Sequence, residues 1–147
     1  MDKKSTRAFV MTLTGGVIYF YFEILVRGYS HVSMFLLGGV CFYIVGYYGT
    51  RVLDLKIKLT SQLLVIMVIS SAVITVLELM TGLLVNVYLK LGVWDYSQIS
   101  YNFMGQICLL YSILWAILGL PCVYFYGILN RFVFDDKIGV KSEVYTE

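Results

Sequence analysis

The stretch QLLVIMVISSAVITVLELMTGLLVNVYL, residues 62–89, decides the fold. A helix needs about 20 consecutive apolar residues to cross the hydrocarbon core of a membrane. This run exceeds that length and carries one charged side chain, Glu78, near its middle. A carboxylate at that depth costs at least a few kcal/mol unless it faces protein, water or a partner, so Glu78 marks a functional site or an internal polar contact. Three further runs are long enough, which predicts spans at about 8–27, 33–50, 62–89 and 105–129. The expected fold is an all-α membrane protein: one four-helix transmembrane domain over residues 1–134 and a short polar cytoplasmic tail over 135–147. Backbone groups cannot be left unpaired in lipid, so the spans must be helical.

Composition agrees. Of 147 residues, 60% are hydrophobic and only 14% charged, against about 25% charged in soluble domains. The net charge of +2 and the lack of a long basic run argue against a nucleic-acid partner. Cys41, Cys108 and Cys122 all lie in apolar runs without Cys-x-x-Cys spacing, so buried free thiols are expected rather than a disulfide or structural zinc. With His31 as the only histidine, a histidine-based metal site or triad has almost no material. The Lys-rich start looks like a leader n-region. The apolar run that follows carries Glu23 and Arg27 and has no small-residue cleavage pattern, so it is read as a retained helix.

Basic residues give the orientation. Lys3, Lys4, Arg7, Arg51, Lys56, Lys58, Arg131, Lys137 and Lys141 fall on one side of a four-span topology, and Arg27 and Lys90 on the other. The positive-inside rule places both termini in the cytoplasm and the 90–104 loop outside. The alternating 51–61 segment is expected to lie at the inner surface, with docking of a cytoplasmic partner as the alternative.

Helical spacing gives each span one small or polar stripe. These are Thr12, Gly16, Tyr19, Glu23, Arg27; Phe35, Gly39, Phe42, Gly46, Gly49; Ser71, Thr75, Glu78, Gly82, Asn86; and Cys108, Ser112, Trp115, Gly119, Tyr126. Membrane helices associate through small residues and hydrogen bonds, so the stripes predict a bundle with a semi-polar interior. Pro121 is expected to kink the last helix. Glu23 and Arg27, at i and i+4, suit a local ion pair. Glu78 has no cation within a turn; Arg27, Asn86 or a tyrosine hydroxyl are its candidate partners. In the outer loop, Asp95 with Gln98 suits a capping box, and Asn102 suits the cap of the fourth helix. Trp94, Tyr96 and Tyr101 suit the headgroup layer. Alternatively the loop is a ligand lid, with Asp95, Asn102 and Gln106 joining the outer ends of the Glu23 and Asn86 stripes around a polar pocket.

The run Glu78-Leu-Met-Thr-Gly82, then Trp94-Asp95-Tyr96-Ser97, then Asn102 and Gly105-Gln106-Ile107-Cys108, with Trp115 beyond, resembles the putative ABC-transporter type IV (CmpB-like) family of small bacterial membrane proteins. The likeness covers about the middle and last third of the chain. It implies a bacterial inner-membrane protein with a permease-like role, and it makes Glu78, Gly82, Trp94, Asp95, Tyr96, Asn102, Gly105, Gln106 and Trp115 the residues to test. The chain has no phosphate-binding loop, so ATP hydrolysis requires a separate ATPase subunit. Four helices are few for alternating access, which calls for a homodimer or a partner subunit.

The leading expectation is a transport component, with Glu78, Gly82, Asn86, Trp94, Asp95, Tyr96, Asn102, Gln106, Trp115, Glu23 and Arg27 as candidate ligand-binding residues. The alternative is a non-catalytic accessory or sensor that binds a small molecule or lipid. A membrane-embedded enzyme on lipid or cell-wall precursors, with Glu78 and Asp95 as acid and base, ranks lower because no histidine, activated nucleophile or metal cluster supports it. The residues name no cofactor.

Overall fold

The structure, a computed structural model, describes residues 3–135. Helices α1 (Lys3–Arg27), α2 (Val32–Leu53), α3 (Leu59–Gly82) and α4 (Leu109–Phe134) are each long and apolar enough to cross a membrane. A π-helical turn, Leu83–Tyr88, extends α3, and a two-stranded hairpin, β1 (Asn102–Phe103) with β2 (Ile107–Cys108), precedes α4. The tail expected from 135 lies, beyond Asp135 itself, outside the described residues.

Local chemistry sets the boundaries. Gly28 ends α1 with φ +79, a left-handed conformation that costs glycine nothing. His31 opens α2 in extended backbone, its Nδ1 accepting the Ser33 N–H at 3.2 Å. The α2–α3 connector is short, and Gln62 reaches back from the first turn of α3 to donate to the Leu53 and Leu55 carbonyls, at 3.1 and 2.8 Å. Those carbonyls sit at the end of α2, where no intrahelical donor remains. Two expected boundaries shift inward, while the other ends match or extend the expected spans. The third run does not stay α-helical to Leu89: past Gly82 it widens into the π turn, where the Leu89 N–H reaches the Leu84 carbonyl at 2.9 Å. The fourth helix starts at Leu109 rather than at 105, because Met104 and Gly105 are left-handed and Ile107 and Cys108 pair with Phe103 and Asn102. Asn102 therefore does not cap α4; Cys108 stands at that position. Helix α4 continues through Pro121 to Phe134.

Small residues let the helices approach closely. A Cβ on Gly16 would lie 2.7 Å from the Phe35 carbonyl oxygen, and one on Gly39 would fall onto the Thr12 carbonyl oxygen, so α1 and α2 touch backbone to backbone in both directions. Gly46 and Gly49 of α2 admit Tyr126 and Val123 of α4, and Gly119 of α4 admits Ser70 of α3. This is the small-residue packing expected where apolar surface alone gives no drive to associate. Helix α1 rests mainly on α2, whereas α4 packs on both α2 and α3. Buried apolar clusters form at both ends of the bundle, one around Met34, Leu37, Val85 and Trp94, another around Met11, Phe42 and Tyr126. Arg7 lies over the Phe134 ring at 5.3 Å, which puts the start of α1 and the end of α4 at the same end. Outward residues such as Leu64, Val68 and Phe132 are 62, 68 and 81% exposed, a surface suited to hydrocarbon and a liability in water. Cys41, Cys108 and Cys122 are free thiols.

Candidate functional site

The polar stripe of α3 faces α4 and the loop between them along its whole length. Ser71 Oγ donates to the Ser112 carbonyl at 2.8 Å, and Thr75 Oγ1 to Ser112 Oγ at 2.9 Å. One turn on, Glu78 is 2% exposed. Its Oε1 accepts from the Tyr96 hydroxyl at 2.8 Å and its Oε2 from the Trp115 indole N–H at 3.0 Å. Of the expected partners, only the tyrosine hydroxyl is used; Arg27 and Asn86 are bonded elsewhere. The carboxyl sits in an aromatic setting: Tyr96 stacks on Tyr111 at 4.7 Å, Tyr111 lies 6.1 Å from Trp115, and Trp115 lies 6.3 Å from Tyr19 of α1. Burial and the neighbouring Glu78 push the Tyr96 phenol upward, so it remains a neutral donor at physiological pH.

Above Glu78 the stripe anchors the loop. A Cβ at Gly82 would meet Gln106 Oε1 at 2.5 Å and the Trp94 ring at 3.1 Å, so glycine is what lets the loop press onto α3. Asn86 donates to Gln106 Oε1 at 2.8 Å and accepts the Val93 N–H at 2.7 Å. Trp94 Nε1 donates to the Gln106 carbonyl at 3.0 Å. The widened π turn carries Asn86, which thereby reaches both sides of the loop. At the end of α1, Arg27 Nη1 binds Glu23 Oε1 at 2.8 Å, its Nη2 donates to the Val93 carbonyl at 2.7 Å, and Ser30 Oγ donates to Glu23 Oε2 at 2.6 Å. The local ion pair read from the sequence is present, and it also clips α1 to the loop.

Asp95 and Asn102 are exposed and hold the loop tip together. Asp95 Oδ1 accepts the Ser97 N–H at 2.8 Å and also the Ser97 hydroxyl. This closes an Asx turn instead of the capping box expected with Gln98. Asn102 donates to the Ile99 carbonyl at 2.8 Å and accepts the Gly105 N–H at 3.0 Å. Both turn inward to the loop's own backbone, and Asp95 shares no hydrogen bond with Glu78. The Ser97 hydroxyl and backbone N–H hold the Asp95 carboxyl below its ordinary value. Any stability this lends is present above the ordinary carboxylate range and is lost as pH falls through the lowered value. An NMR titration in detergent should show that depressed midpoint, and Ser97→Ala should move it back up.

A cavity of about 490 Å³ lies on the other side of Glu78, between α1 and α4, with α2 as its floor. Of the sequence candidates, Glu78 and Trp115 line it; the others surround the loop anchor, the loop tip or the α1 clip. The remaining walls, Tyr19, Ile74 and Leu118 among them, were not singled out as site residues. Tyr19 had a signal in its stripe position, but an apolar wall residue looks like any other in a membrane helix.

Four membrane-length helices around buried polar contacts define a multi-pass all-α membrane protein. The chain matches the family model described as "Putative ABC-transporter type IV" over residues 8–140, and it belongs to that family. The match extends across the first two helices, beyond the part that carries the recognisable motifs. A search of curated proteins and a search of solved structures each found no match.

Proposed function

We propose that the protein is a permease-like transport subunit of a bacterial cell membrane, with Glu78 in the substrate path. In this reading residues 1–134 act as one transmembrane domain, both termini are cytoplasmic, and the loop that carries Tyr96 closes the outer end. The observation that carries it is the state of the Glu78 carboxyl. It is buried at the wall of a cavity, no cation among the described residues pairs with it, and both oxygens rest on neutral donors from two separate elements. A buried acid so placed is costly to keep, and a ligand that replaces one of those donors would couple its own binding to movement of the loop. Energy would come from a separate ATPase subunit, or a second copy would complete the path, since the chain carries no nucleotide-binding motif.

Glu78→Gln tests this. Glutamine has the same shape, can accept from Trp115 and can donate to the Tyr96 oxygen, so the protein should still fold and insert. A strain lacking the gene should be complemented by the wild-type protein and not by Glu78→Gln at equal membrane levels. An ATPase subunit should co-purify with both. Full complementation by Glu78→Gln would sink the reading. So would loss of Glu78→Gln from the membrane while Glu23→Gln is retained, since that marks a structural acid.

A further inference from the structure

We propose that the cavity between α1 and α4 binds a single-chain amphiphile with a primary amine head group, entering sideways from the lipid. The apolar chain lies between Ile18 and Phe22 of α1 and Leu118 and Phe125 of α4, and the ammonium meets Glu78. This rests on the reading of Glu78 as a ligand-contacting group and names the class of ligand.

The cavity volume falls in the range of pockets that hold small organic ligands. Its walls are almost wholly apolar, and Glu78 is the one carboxyl or basic side chain among them. The seam at its mouth is open because α1 rests mainly on α2, leaving Ile18, Phe22 and Phe125 43, 47 and 40% exposed along the flank. In a bilayer those side chains face acyl chains, so a membrane-dissolved molecule reaches the cavity without crossing the loop. Selectivity comes from charge. The carboxyl takes only neutral hydrogen bonds from Tyr96 and Trp115, and Arg27, at the end of α1, is engaged by Glu23 and the Val93 carbonyl. An ammonium supplies what the site lacks, whereas a carboxylate head would be repelled. An apolar body with one oriented polar contact is the recognition pattern this lining can provide.

The test uses the full chain in phosphatidylcholine nanodiscs and three probes of equal length brominated close to the head group: a primary amine, an alcohol and a carboxylic acid. Bromine quenches tryptophan on contact, and the chain has only two tryptophans, of which Trp115 lines the cavity. The amine should give saturable quenching at low mole fraction, and the alcohol and acid only the linear response of free lipid. Glu78→Gln should raise the half-saturating amine fraction at least tenfold. Leu118→Phe, which narrows the cleft without touching the carboxyl, should do the same. Equal responses to amine and acid, or to amine and alcohol, would overturn the inference. So would the absence of a saturable component, or an amine response unchanged in both variants. Complementation reads the transport role separately. If Glu78→Gln fails to complement and the amine does not bind, the transport reading stands and this inference falls. If the amine binds and Glu78→Gln complements, the reverse holds.

Discussion

Gly39→Ala will lower the thermal unfolding midpoint in detergent by a few degrees, and Gly39→Leu will leave little protein that runs as a single folded species. Alanine is favoured over glycine in a helix interior by about 1 kcal/mol, so the sign depends on what the new methyl meets. Here it meets the Thr12 carbonyl oxygen, which belongs to the backbone of α1 and cannot rotate away. The whole of α1 must shift, and overpacking of that kind costs about 1–3 kcal/mol. It also acts on the weakest-held element, since α1 rests mainly on α2. Gly127→Ala is the matched control. Its new methyl would meet only Thr50 Cγ2, at an ordinary 3.8 Å, so the propensity gain should stand and the midpoint should hold or rise. Size-exclusion chromatography after graded heating reads both. Equal behaviour of the two variants would show that the α1–α2 seam tolerates separation.

The contrast between these two glycines bears on what the sequence can reveal. Helical spacing alone put Gly16, Gly39, Gly46, Gly49 and Gly119 on inward stripes, and each receives a neighbour in the structure. Spacing also put Ser71, Thr75, Glu78, Gly82 and Asn86 on one face, and that face is continuously bonded or packed from Ser112 to the loop. Periodicity fixes which side of a helix is polar, because that depends only on residues a few positions apart. It does not fix what comes to meet that side. Gln106 and Tyr96 reach α3 only because the chain reverses through left-handed Met104 and Gly105, and neither apolar run announces that reversal. The same apolar continuity hid the start of α4 and the π turn. Asp95 and Asn102 illustrate the other limit. Their types suit a ligand lid as well as a turn, and the turn takes both, since their own backbone amides and carbonyls are always within reach.

Arg27→Met should destabilise the protein by about 3 kcal/mol, and Glu23→Gln by much less. The asymmetry follows from burial. Glu23 is 5% exposed at its side chain and Arg27 28%, so a freed guanidinium can turn to water while a freed carboxylate cannot. In Arg27→Met, Glu23 keeps only the Ser30 hydroxyl, and the Val93 carbonyl loses its donor at the point where the loop meets α1. The loop should therefore become more open to protease in the 90–106 region, in parallel with the lower midpoint. Glu23→Gln on the Arg27→Met background should recover most of the loss, because it removes the buried charge that the first change stranded. Failure of that rescue would place the cost in the Val93 contact instead. The double variant also separates structure from function. If the Glu23–Arg27 pair only clips α1 to the loop, the rescued protein should complement the deletion strain as well as the wild type does. If it folds normally and still fails to complement, Glu23 and Arg27 act on the ligand directly, and the path that begins at Glu78 runs outward along α1.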